Sequence, residues 1–280
     1  MHKHFAVLGY PIGHSLSPAL HNEIFDMKGL DCSYEALLMP SENLAEEFFM
    51  LSKKYAGFNL TIPLKEKVIP LLDKIDPFAK TLGSVNTVKC TENGTIGYST
   101  DMAGFMRSMD ANGINLTKKK VLIIGGGGVA RVIAFACAEN LCDITIALRN
   151  TSKSAPLLKE IKTRFGINAA VVPIDDISGS FDLLLQCTPV GMFPHPDFCP
   201  VSDKVIGNCK VVFDTIYNPF ETLIIKKAAQ LGVKTVNGLE MLVYQGLVSQ
   251  EIWLGLEFSK AETDHLIALL SKKLISEARK

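Results

Sequence analysis

At 280 residues the chain has the length of roughly two domains of about 150 residues each, enough to bury cores without disulfides or a structural metal. Hydrophobic residues make up 48% and charged residues 21%, which excludes wholesale disorder. Lys plus Arg and Asp plus Glu each number 29, so the net charge is zero and the basic surface expected of a nucleic-acid binder is missing. The runs Lys118-Lys119-Lys120 and Lys272-Lys273 read as solvated faces. No stretch approaches the roughly 18 apolar residues of a membrane span. Gly9, Pro11 and Gly13 interrupt the N-terminal segment, which therefore reads as no signal peptide. Seven cysteines without a Cys-x-x-Cys pair read as free thiols in a reducing compartment, so a cytoplasmic location is expected. The six histidines show no ligand spacing, so no metal site is expected.

In chain order, Phe5–Leu8, Tyr34–Leu38, Phe58–Leu60 and Val85–Val88 are predicted strands. Pro18–Met27 and Glu42–Lys53 carry helical spacing, the second behind a Ser41 cap. The turn Glu92-Asn93-Gly94 makes Val85–Thr91 and Thr95–Ser99 a hairpin, so the first half is a mixed sheet with helices. A second unit begins near Asp101 and, after the polar stretch Asn112–Lys120, alternates strands and helices. Its elements are strand Val121–Ile124, helix Arg131–Glu139, strand Ile144–Leu148, helix Ala155–Phe165, and strands Ala170–Val172, Asp182–Leu185 and Val211–Phe213. Such alternation predicts a parallel sheet covered on both faces. One short strand follows Gly232, then helices Met241–Gly255 and Ala261–Ser276.

Between the first strand and first helix of the second unit stands Gly125-Gly126-Gly127-Gly128-Val129-Ala130, a G-x-G-x-x-A pattern. In that setting the first glycine makes a tight turn and the second admits a pyrophosphate close to the backbone. The small last residue lets the helix pack closely. Free N–H groups at the helix start then face the anion. An NAD site carries an acid about 20 residues on to bond the ribose 2′-hydroxyl. The segment Leu148-Arg149-Asn150-Thr151 has none; Arg149 and Lys153 offer cations and Asn150 a neutral partner. A 2′-phosphate suits that set, so NADP is expected in place of NAD. Arg149 also reads as an ordinary surface charge.

Three clusters in the first hundred residues exceed what packing requires. In Gly13-His14-Ser15-Leu16-Ser17-Pro18, two serines precede a helix, where their hydroxyls can bind a carboxylate or Ser17 can simply cap the helix. Asn59-Leu60-Thr61-Ile62-Pro63-Leu64-Lys65 gathers polar groups around one lysine, and Ser84-Val85-Asn86-Thr87 with Ser99-Thr100-Asp101 adds amide, hydroxyl and carboxylate groups.

With these segments, the glycine loop, Asp214-Thr215-Ile216-Tyr217-Asn218-Pro219 and Gly238-Leu239-Glu240-Met241-Leu242-Val243-Tyr244-Gln245, the chain closely resembles the shikimate dehydrogenase family over nearly its whole length. The resemblance implies an α/β fold of two domains. The N-terminal mixed-sheet substrate domain, 1–101, is completed by C-terminal helices within 240–280; a Rossmann-like NADP-binding domain covers 102–239. It implies NADPH-dependent reduction of 3-dehydroshikimate to shikimate, with Lys65 and Asp101 as the catalytic pair. By position, Ser15 and Ser17 hold the substrate carboxylate, Thr61, Asn86 and Gln245 join Asp101 around the ring hydroxyls, and Tyr217 stands near the carboxylate. Thr188, Met192, Gly238 and Met241 fall where the family lines the nicotinamide pocket; the resemblance leaves a homodimer open. The spacing of Met241 and Gln245, i and i+4, independently puts both on one helix face.

Three positions depart from the family pattern: Ser99 replaces an Asn, Leu148-Arg149-Asn150 replaces Asn-Arg-Thr, and Gln186-Cys187-Thr188 replaces Asn-Ala-Thr. Cys187 has no histidine at a recognisable motif and reads as a buried structural thiol. Two other functions compete. A quinate- or aminoshikimate-preferring relative keeps the same machinery, but the paired serines favour shikimate because quinate's extra hydroxyl needs room beside the carboxylate. A non-catalytic metabolite or nucleotide sensor has no use for a proton donor, which the retention of Lys65 with Asp101 argues against.

Overall fold

The computed structural model describes residues 2–277, the side chains of Lys153 and Glu277 excepted. The chain forms two compact units, Met1–Gly104 with Val243–Leu270 and Phe105–Leu242 with Ser271–Lys280.

The N-terminal elements are β1 (Lys3–Gly9), α1 (Ser17–Lys28), β2 (Cys32–Leu38), α2 (Leu44–Lys54), β3 (Gly57–Leu60), β4 (Lys74–Ile75), α3 (Pro77–Leu82), β5 (Thr87–Thr91), β6 (Gly94–Tyr98) and α4 (Asp101–Ala111). The sheet order is β2-β1-β3-β5-β6-β4. Strand β1 runs parallel to β2 and β3, whereas β3–β5 and β5–β6 are antiparallel, the latter through the Asn-Gly turn. It is the mixed sheet that the hairpin signal predicts. Helix α2 starts later than expected: its cap position is Asn43, and the Ser41 hydroxyl instead accepts a hydrogen bond from Lys67 Nζ at 2.7 Å. Helix α3 escaped the sequence reading although its ends are well marked. Asp76 accepts from the amides of Phe78 and Ala79, Pro77 opens the first turn, and Gly83 closes it in the left-handed region.

The second sheet contains β7 (Lys120–Ile124), β8 (Asp143–Leu148), β9 (Ala170–Pro173), β10 (Phe181–Gln186), β11 (Cys209–Asp214) and β12 (Lys234–Val236). Its helices are α5 (Gly128–Glu139), α6 (Ala155–Phe165), α7 (Asp203–Gly207) and α8 (Leu223–Gln230); α9 (Gly238–Leu254) and α10 (Lys260–Glu277) end the chain. The order is β12-β11-β10-β7-β8-β9 and every pair is parallel. This is a Rossmann-like, doubly wound sheet, in which the strand order reverses at β7 and opens a crevice beyond the strand C-termini. Residues Val121–Ile124 are fully buried, as a central parallel strand requires. Helix α5 begins at Gly128, three residues before the predicted start, because the last glycine of the loop already has helical hydrogen bonding. Helices α4, α7 and α8 and the two-residue β4 were not predicted; α7 and β4 are too short for any period to show. None of the helices is long and apolar enough to cross a membrane among the described residues.

One aromatic cluster closes the first core. Phe5, Phe25 and Tyr34 pack with Trp253 of α9, whose indole N–H donates to Val88 O at 2.9 Å. His21 of α1 lies in the same layer, stacked on the Tyr34 ring at 4.2 Å, and Gln250 reaches its Nδ1 at 2.7 Å. Burial disfavours the imidazolium and pushes the His21 pKa from 6.5 down to about 3. The unfolded chain therefore binds a proton near pH 6.5 that the folded chain refuses until about pH 3. The stability that neutral His21 provides is present above pH 6.5 and is lost progressively as the pH falls below it. Urea unfolding followed by far-UV circular dichroism between pH 7 and 4 will show a shallower loss of stability for His21→Leu than for the wild type. Parallel pH slopes for the two proteins would contradict this account.

Candidate active site

Lys65 follows β3 in a turn whose position is set by a backbone hydrogen bond, Val85 N to Lys65 O at 2.8 Å. That bond brings the segment before β5 beside the lysine. Asn86, next in that segment, donates its backbone N–H to Tyr98 O and accepts from Leu60 N, which fixes it between the ends of β3 and β6. Asp101 is the first residue of α4, where the helix dipole favours a carboxylate.

The side chains then meet. Lys65 Nζ lies 2.6 Å from Asp101 Oδ2, and Asn86 Nδ2 donates to Asp101 Oδ1 at 2.9 Å. The orientation of the Asn86 amide is not a free choice. Its Oδ1 receives the backbone N–H of Thr100 at 2.8 Å, and a backbone N–H can only donate, so Nδ2 must face the carboxylate. Gln245 Oε1 lies 3.4 Å from both Asn86 Nδ2 and Thr100 Oγ1. The Asp101 side chain is 11% exposed and that of Lys65 24%, so the pair is partly desolvated while the ammonium still has an open side.

Asn59, Thr87 and Ser249 form a second set of buried polar groups against Asn86, and the sequence alone assigns them no role. Asn59 Nδ2 lies within bonding distance of Thr87 Oγ1, Ser249 Oγ and Asn86 O, and Asn59 Oδ1 accepts from the Tyr34 hydroxyl at 2.6 Å. Thr87 Oγ1 in turn donates to Asn86 Oδ1 at 3.1 Å. The usable signal was polar residues inside segments that otherwise read as buried strand, since a buried polar group needs a partner.

Ser15 and Ser17 sit together at the start of α1, with the Ser17 N–H donating to Ser15 Oγ at 3.3 Å. Neither serves as a helix cap: the cap position is Leu16, without a side-chain bond. Burial raises the Tyr34 phenol's pKa well above 10, a shift that the neighbouring Ser17 hydroxyl opposes. Ser15, Ser17, Thr61, Lys65, Asn86, Asp101 and Gln245 all belong to the first unit; Tyr217 belongs to the second.

In the second unit the glycine loop leaves β7. Gly125 has φ of 110°, and a Cβ there would press on Thr188 Cγ2 at 2.8 Å and on Cys187 O at 3.1 Å, so only glycine serves. Around Gly127 and Gly128 a Cβ would meet nothing within 4 Å. Helix α5 has no side-chain cap and no acid in its first turn, which leaves its first-turn amides without a side-chain partner. That cradle fits a dinucleotide pyrophosphate. Arg149 and Asn150 follow β8 and are exposed, Asn150 capping the next turn by accepting from Ser152 N at 3.0 Å. The donor set fits a 2′-phosphate. The Lys153 side chain lies outside the described residues. Thr188 and Met192 follow β10, Met192 being 44% exposed; Gly238 and the buried Met241 open α9. Burial pushes the Cys187 thiol far above its usual range, which leaves it unreactive at neutral pH. No cluster of His, Cys, Asp and Glu among the described residues could hold a metal ion.

The shikimate dehydrogenase substrate binding domain family matches residues 7–88. The shikimate dehydrogenase (NADP(+)) of Methanococcus maripaludis is 40% identical over 261 residues, covering 90% of this chain and 92% of that protein. Among solved structures, a chorismate mutase/shikimate 5-dehydrogenase fusion protein from Clostridium acetobutylicum is 32% identical, with a TM-score of 0.89, over 98% of this chain and 99% of that one. Shikimate 5-dehydrogenase from Thermus thermophilus, in complex with NADP(H) and shikimate, is also 32% identical, with a TM-score of 0.86 over 95% of this chain and 98% of that one.

Proposed function

The chain belongs to the shikimate dehydrogenase family, and on that premise we propose that it catalyses the reversible NADPH-dependent reduction of 3-dehydroshikimate to shikimate. The observation that carries this reading is Lys65 Nζ at 2.6 Å from Asp101 Oδ2, in one unit with the paired serines, Thr61, Asn86 and Gln245. NADPH, when bound, supplies the hydride for the ketone carbon.

The protein's task is the oxygen. As negative charge develops there, the Lys65 ammonium stabilises it and delivers the proton that completes the alcohol. Asp101 holds the ammonium in place, and Asn86 holds Asp101. Asn86, Thr61 and Gln245 supply donors and acceptors for the ring hydroxyls, and Ser15 and Ser17 donate to the carboxylate at the opposite end of the ring. Two fixed ends set which ring carbon faces the hydride donor. The first unit is thus the substrate-binding body.

The second unit takes the cofactor. The amides of Gly128, Val129 and Ala130 hold the pyrophosphate, Gly125, Gly126 and Gly127 let it approach, and Arg149, with Asn150 and Lys153 beside it, holds the 2′-phosphate. Thr188, Met192, Gly238 and Met241 line the nicotinamide end. The partners are small molecules, and the seven free cysteines support a cytoplasmic location.

Lys65→Ala will lower kcat by roughly 10²- to 10⁴-fold while NADP+ affinity, measured calorimetrically, stays within about twofold. Loss of cofactor affinity in step with turnover would remove Lys65 from the chemistry. Arg149→Ala will weaken NADP+ by roughly 10- to 100-fold, the size of a charge-assisted bond, and leave NAD+ nearly unchanged. Equal losses in calorimetric titrations with the two cofactors would place the 2′-phosphate elsewhere.

A further inference from the structure

Gln186 and Asp214 are the last residues of β10 and β11 and stand opposite each other in the sheet register. Both are fully buried. Each spends its hydrogen-bonding capacity on the loop that follows its own strand. Gln186 Oε1 accepts from Thr188 N at 3.1 Å and Thr188 Oγ1 at 3.0 Å, while Nε2 donates to Thr188 O at 3.3 Å and Val190 O at 3.0 Å. The backbone donor at Thr188 fixes which way that amide points. Asp214 Oδ1 accepts from Ile216 N at 3.0 Å, and Oδ2 accepts from the Thr222 hydroxyl at 2.6 Å.

The two loops are also tied to each other. Phe193 N donates to Asn218 O at 3.2 Å, and Thr215 N donates to Gln186 O at 3.0 Å. Gly191, with φ of 93°, passes so close to Phe198 O that a Cβ there would press on it at 2.9 Å. Gly238 N reaches Ile216 O at 3.1 Å, which joins the start of α9 to the same assembly. Thr188, Met192, Tyr217 and Gly238 therefore all hang from two buried side chains.

The sheet order gives that assembly a direction. Along the C-terminal edge the strands run β8, β7, β10, β11, about 4.8 Å apart. Arg149 follows β8 and the glycine loop follows β7, so the adenosine and pyrophosphate parts of a dinucleotide are accounted for there. The ends of β10 and β11 are what remains for the other half.

We propose that Gln186 and Asp214 are positioning residues that hold these two loops around the nicotinamide end of the cofactor, a role that rests on the NADP reading above. Neither needs to touch the cofactor. The carboxamide at 186 is long enough to reach Val190 O as well as Thr188, so it shapes the whole turn leading to Met192.

The test is isothermal titration of the full chain with two probes, NADP+ and 2′,5′-ADP, which lacks the nicotinamide half. Asp214→Ala and Gln186→Leu will weaken NADP+ roughly tenfold, about the worth of the lost bonds, and leave 2′,5′-ADP within about twofold. Asp214→Asn will stay within about threefold of the wild type for both probes, because its amide can donate to Thr222 while its oxygen still accepts from Ile216 N. Should Asp214→Ala fail to fold, Thr222→Val removes the Oδ2 partner and is expected to behave as Asp214→Ala does. Equal weakening of both probes, unchanged NADP+ affinity, or an Asp214→Asn protein as weak as Asp214→Ala overturns the proposal. A wild-type protein that binds neither probe overturns the NADP reading itself, and the proposal with it.

Discussion

The hydrogen-bonded ion pair between Lys65 and Asp101 is the contact on which the chemistry of the first unit depends, and its geometry is set by the backbone around it. The Val85 amide holds the lysine turn, the Thr100 amide dictates which way Asn86 faces, and Asn86 then has one place to put its donor, the second oxygen of Asp101. An isolated pair of this kind adds little to stability. Here the surrounding donors are already committed, so the carboxylate is held without reorganisation when charge appears on a bound ketone oxygen. Preorganisation of that kind is the main source of electrostatic catalysis. Tyr34, Asn59 and Thr87 carry that constraint onward through buried hydrogen bonds that end on Asn86 Oδ1.

The second unit solves a different problem with different means. A dinucleotide is anionic at its centre and must be met by backbone, so the glycine loop leaves a capless helix start open, and Gly125 bends where a side chain would strike Thr188. Where the loops must keep a shape without a helix to hold them, buried side chains at strand ends replace regular structure. Asp214 shows the tension in that device. Burial pushes its carboxyl up to about pKa 7, against the pull of the Thr222 and Ile216 hydrogen bonds.

Much of this was legible in the chain because it is local. The Asn-Gly turn, the buried run Val121–Ile124 and the glycine loop each declare themselves within ten residues, and the mixed and parallel sheets follow from them. The approach of Lys65 to Asp101 is not local. Thirty-six positions separate them, and only the family resemblance joined them before the structure did. Helix α3 shows a signal that was present and passed over, since Asp76-Pro77 and Gly83 mark its two ends. Gln186 and Asp214 show the opposite case. A polar residue at the end of an apolar run looks like the start of a loop, and nothing in its identity says that its side chain will turn inward. Ser17 read equally well as a cap or as a carboxylate ligand, and only the geometry, with Leu16 at the cap position, removes the first reading.

The most direct test of the account is to follow nicotinamide absorbance in the near ultraviolet with folded, purified protein. Shikimate and quinate are each offered with NADP+ and with NAD+. Shikimate will reduce NADP+ rapidly, and the other three mixtures will react far more slowly. A preference for quinate would contradict the role given to the paired serines, and a preference for NAD+ the role given to Arg149. No turnover in any mixture would contradict the assignment of Lys65 and Asp101 as a catalytic pair.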